Sequence, residues 1–165
     1  MEYSLEFSKR LLTAGQKVVE FEKGLEESDR TVLYLSQLSI EISLKYLLEK
    51  AGVPINQIRK KSHNLKNLLD RVDQCSVEIE VGENVRRLPA SRLRSKPVDQ
   101  QFDNVTVGTL LQAETKVEVS KYPIEIRYGK APHHYPAEVM LACAKAIINW
   151  AENEGSTIKQ DGMKR

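Results

Sequence analysis

Over the first part of the chain, apolar residues recur at alternating steps of four and three: Phe7, Leu11, Ala14, Val18, Phe21 and Leu25. That spacing predicts one stripe on an amphipathic helix, widened by Leu5, Leu12 and Val19. Gly24 or the Ser28-Asp29 pair should end it. Ser28 or Asp29 then caps a second helix, from about Arg30 to Lys50, stopped by Gly52-Val53-Pro54. Its apolar residues fall on more than one face, including Val32, Leu35, Leu38, Ile42, Leu44 and Leu48. Such a helix is central, or buried on one side and shared with a partner on the other. Ser36, Ser39 and Ser43 form a small-residue seam, read as close helix packing in preference to a dimer contact. Glu41 and Lys45, four apart in the favourable order, read as a solvated pair.

A third, shorter helix should begin near Ser62, with Leu65, Leu68, Leu69 and Val72 as its buried stripe. The period then changes to two: Val77, Ile79 and Val81 alternate with Glu78 and Glu80, a half-exposed strand. Short strands are also expected at 105–107, 116–119 and 124–126. The last helix follows Pro136 and runs to about Glu152, with Met140, Cys143, Ile147 and Trp150 on one face. Residues 155–165 are polar and read as a disordered tail. The pattern is a mainly α domain over 1–154, with a β-containing insertion at 75–126.

The 165 residues fit one domain, and the formal net charge of +2 leaves only local patches to attract a polyanion. No apolar run approaches a membrane span, and the first residues lack the blocks of a signal peptide. Two distant cysteines, Cys75 and Cys143, make no metal-type spacing. A reduced, cytoplasmic protein with no cofactor is expected. Phosphate-loop, dinucleotide-binding, zinc-hydrolase and serine-hydrolase motifs are absent from the sequence, and no DNA-binding motif is seen.

Three places carry candidate chemistry. Arg59, Lys60, Lys61 and His63 precede the third helix, an arrangement suited to an anion or to a solvated basic turn. Arg86, Arg87, Arg92 and Arg94 lie in a stretch without acids, read as an RNA contact or as a mobile loop. Arg127, Tyr128, His133 and His134 form the densest polar cluster. There a histidine can exchange protons with a ribose hydroxyl while arginine holds the phosphate, without a metal. The alternative is a proline-framed loop that pins the last helix.

Ser39-Ile40-Glu41-Ile42-Ser43-Leu44-Lys45-Tyr46-Leu47-Leu48-Glu49-Lys50-Ala51-Gly52 resembles the second helix of HEPN domains. Lys61-Ser62-His63-Asn64-Leu65 resembles the Lys-x-His-(Asp/Asn)-Leu segment that follows it there, and Arg127-Tyr128 the Arg-Tyr before the final helix. The resemblance covers about 5–74 and 122–152. It implies a bundle of four to five helices, usually a homodimer. One expectation is a module that binds nucleotide, RNA or a partner such as a nucleotidyltransferase subunit, in a toxin–antitoxin or defence setting. The Arg-Tyr form is the more typical of such members. The other is a metal-independent endoribonuclease using Arg127 with His133 or His134.

Overall fold

A computed structural model describes residues 1–60, 63–101, 104–116 and 136–161. The described part is mainly helical, with a small antiparallel sheet. Its elements are α1 (Leu5–Glu22), α2 (Ser28–Lys50), α3 (Ile55–Lys60), α4 (Leu65–Val72), β1 (Cys75–Val81), β2 (Asn84–Pro89), α5 (Val107–Lys116), α6 (Ala137–Asn153) and β3 (Lys159–Gln160). Among the described residues, no helix is long and apolar enough to cross a membrane.

Helix α1 starts where Ser4 Oγ accepts from the Phe7 amide, at 3.2 Å. The helix forms as expected, but the residues that bury it differ. Its inward line is Leu5, Ser8, Leu12, Gly15 and Val19, whereas Phe7, Phe21 and Leu25 are exposed. Small residues explain the choice. Ser8 Oγ lies 2.8 Å from Ser39 Oγ and 2.6 Å from Ser43 Oγ on α2. A Cβ at Gly15 would come within 2.8 Å of Leu141 Cδ1 on α6. Two helices approach this closely only where side chains are small, so the bulky stripe turns outward. The serine seam is therefore a packing line within one chain, the reading favoured from its spacing.

Helix α2 is the central element, packed against α1, α4 and α6, with Ile40, Leu44 and Leu47 wholly buried. It ends as the sequence implies: Gly52 takes φ 86°, which a glycine adopts without steric cost, and Val53 N donates to Leu48 O at 3.0 Å. Pro54 then opens α3, an element the sequence reading lacked, whose Ile58 is fully buried. Asn64 caps α4 by accepting from the Asn67 amide at 2.9 Å; Ser62, near which the helix is expected to begin, lies outside the described residues. All four apolar residues expected to bury this helix do so.

β1 pairs with β2 and with β3, giving the order β2-β1-β3. The basic stretch is thus partly a strand: Arg87 stands opposite Glu78 and Arg86 opposite Ile79. At 105–107 the expected strand reduces to one bridge, Pro97 to Thr106, and α5 begins at Val107. The reason is that Val107, Leu110 and Leu111 bury together at helical spacing. Residues 117–119 and 124–126 lie outside the described residues. The supposed tail is ordered through Asp161. Ile158 is 2% exposed, and β3 pairs with Cys75 and Ser76. Ile158 anchors it together with the β3 pairing and the hydrogen bonds of Thr157 and Lys159 to Glu78.

Candidate functional site

Glu41 and Lys45 sit one turn apart on α2, and both are buried, at 4% and 6% exposure. The expected solvated pair is thus an internal one. With apolar residues on most of its faces, α2 has little surface to give to charge. Lys45 Nζ donates to Glu41 Oε1 at 2.7 Å. The turn at Gly52-Pro54 and the short α3 bring His63 back to the same carboxylate, and its Nδ1 lies 2.8 Å from Oε1. Beside an ammonium the carboxylate only accepts, so Nδ1 carries the hydrogen and Nε2 lies on the opposite side of the ring. The His63 side chain is half exposed.

The N-terminal arm covers this cluster. Glu49 accepts from the amides of Glu2 and Tyr3 at 2.7 and 2.9 Å. The Tyr3 ring then lies under Lys45, with Nζ 5.4 Å from its centroid. Burial pushes the Tyr3 phenol above its ordinary pKa, so it stays neutral. Glu41 Oε2 is buried without a hydrogen-bond partner among the described residues. The unit is a charge-neutral Lys–Glu pair holding one oriented imidazole at the surface.

The candidate cations have different fates. Arg59 is tied to Glu2, 2.6 Å from Oε2, while Lys60 is exposed and Lys61 lies outside the described residues. Arg87 bonds Ser76 and pairs with Asp161 at 2.9 Å. Arg94 is a structural clamp, with Nε 2.7 Å from Asp73 Oδ2 and a second nitrogen 2.5 Å from Asp70 Oδ1. Arg86 and Arg92 remain exposed, with no ion pair among the described residues. Arg127, Tyr128, His133 and His134 all lie outside the described residues. Among the described residues, no three metal-ligating side chains come together. An open groove of about 450 Å³ runs between Lys96–Gln100 and the outer face of α6; its walls include Lys145, Asn149 and Trp150 but neither Glu41 nor His63.

Glu41, Lys45 and Tyr3 were missed as site residues from the sequence. The available signal was the apolar breadth of α2, which leaves a charged pair nowhere to be solvated. No family model, no curated protein and no solved structure matches the chain.

Proposed function

We propose that the chain is a HEPN-type module that acts as a homodimer and binds RNA or nucleotide without cleaving it. A toxin–antitoxin or defence system with a nucleotidyltransferase-type partner is the setting this reading suggests. The observation that carries it is the oriented His63 imidazole, fixed through Nδ1 by Glu41 and following the exposed Lys60 by three positions in the chain. Glu41, Lys45 and His63 come from two of the three segments that carry the resemblance, and they meet at the Glu41 carboxylate. A fixed imidazole at the start of α4, with an exposed lysine nearby in the sequence, suits a phosphate or a ribose hydroxyl. The exposed Arg86 and Arg92 add cations that long RNA can use.

Fluorescence anisotropy of a labelled single-stranded RNA, with ADP and ATP as competitors, tests the reading. Binding should weaken several-fold in His63→Ala and in Lys60→Ala, and the salt dependence should flatten by about one charge in the lysine variant. Absence of RNA and nucleotide binding at about 100 μM protein would reject it. Equal affinity in the variants would reject the site. RNA cleavage in EDTA that is lost in Arg127→Ala and in a His133→Ala/His134→Ala double variant would replace binding with the endoribonuclease activity.

A further inference from the structure

The fold turns part of the α1 stripe outward: Val18 packs against the core, whereas Phe7 and Phe21 are left exposed, as is Leu25 just beyond the helix. Phe7 is 52% exposed, Phe21 73% and Leu25 62%. These three side chains alone present on the order of 350 Å² of apolar surface, within the range of the largest patch on an ordinary monomer.

The patch does not stop at α1. Ser8 sits against Ser39 and Ser43 while Gly15 sits against Leu35, so the two helices run antiparallel. On α1, Lys9 and Gln16 lie toward α6, through the Lys9–Glu152 pair and the groove Gln16 shares with Leu141. The apolar stripe lies on the other side of the α1–α2 seam. On α2, the half-buried Leu35, Leu38 and Ile42 fall on that same side, away from the core line of Ile40, Leu44 and Leu47. The two helices thus share one continuous apolar face.

We infer that this face is where a second copy of the chain packs, with the two α1 helices antiparallel about a two-fold axis at the level of Gln16. The inference rests on the reading of the chain as a dimer and adds where the copies meet. Two observations select a second copy as the occupant. The first is symmetry. A two-fold interface places each residue opposite its mirror position in the other copy. About position 16 the helical part of the stripe is its own mirror image: Leu11 meets the partner copy's position 21, and Ala14 its position 18. All four positions are apolar, so no polar residue of the stripe is trapped. The second is area. An 18-residue helix is ~27 Å long, and with the adjoining edge of α2 the face is ~20 Å wide. Two such faces bury roughly 1,000 Å², the lower bound for a specific dimer.

Sedimentation analysis of the full chain over about 1–100 μM gives the first test. The unmodified protein should sediment as a dimer, and Phe7→Glu/Phe21→Glu as a monomer with unchanged helical circular dichroism. A dimer that persists in the variant would place the interface elsewhere and leave the dimer reading intact. A monomer at every concentration would overturn both. A Leu11→Cys/Phe21→Cys variant tests the register and keeps the face apolar. Under mild oxidation it should cross-link between copies much faster than either single variant. Equal rates would overturn the antiparallel arrangement. RNA affinity, measured separately, reports on His63 and not on this face.

Discussion

Glu41 shows how the surroundings of one residue reverse its meaning. A glutamate four residues before a lysine reads as a surface pair, and its removal from a surface would hardly be felt. Here both partners are buried, and Glu41→Ala would leave Lys45 charged and unpaired. Glu41→Ala should cost about 3 kcal/mol in urea unfolding, and Glu41→Gln, which keeps a carbonyl acceptor, about half of that. Asp70 gives a pH prediction. Partial burial raises its pKa, but hydrogen bonds from Lys66 and Arg94 outweigh this and hold it below the ordinary carboxylate range. A lowered folded-state pKa adds stability above the unfolded value, and that stability is lost as pH falls through the folded one. The protein should therefore weaken below about pH 4, and Asp70→Asn should flatten that decline while lowering stability at pH 7. Cys75 is pushed up to about 11 by burial, and Cys143 is buried as well. Ellman's reagent at pH 8 should find no thiol in the native protein and two after unfolding.

At the level of elements, side-chain size governs which faces meet. Period alone located α1, α2, α4, β1 and α6, because long amphipathic runs and strict alternation each have one regular solution. Period did not identify the buried face of α1, since the larger apolar stripe lost to the line of small residues that allows close approach. The segment 94–108 is a second case. Arg94 clamps it to α4 through Asp70 and Asp73, and Gly108 lies directly beneath the arginine stem. A Cβ at Gly108 would sit 2.2 Å from Arg94 Cγ and 3.0 Å from the Arg94 carbonyl oxygen. Gly108→Ala should cost about 2 kcal/mol by displacing the clamp, measurable as a lower urea midpoint with unchanged slope.

For the whole molecule, closure comes from the end of the described chain. β3 completes the sheet, Gln160 N donates to Ala51 O at 3.0 Å, and Thr157 and Lys159 both bond Glu78. This joins the sheet to the end of α2. Truncation after Glu154 should therefore destabilise the fold by at least as much as Ile158→Ala, which removes one buried side chain and should cost about 3 kcal/mol. An unchanged melting temperature on truncation would show that the segment does not carry this closure.

The sequence by itself determined the local elements that repeat at 3.6 or 2 residues, the stop of α2, and the small-residue seam. Each depends on neighbours within a few positions, where backbone geometry and side-chain period act directly. The tertiary structure decided which stripe of α1 is buried, that Glu41 and Lys45 are internal, which arginines are bound to carboxylates, and that Ile158 docks the supposed tail. All four depend on partners far away in the chain. Burial and charge pairing are properties of the space a residue occupies, and that space exists only once the helices have packed.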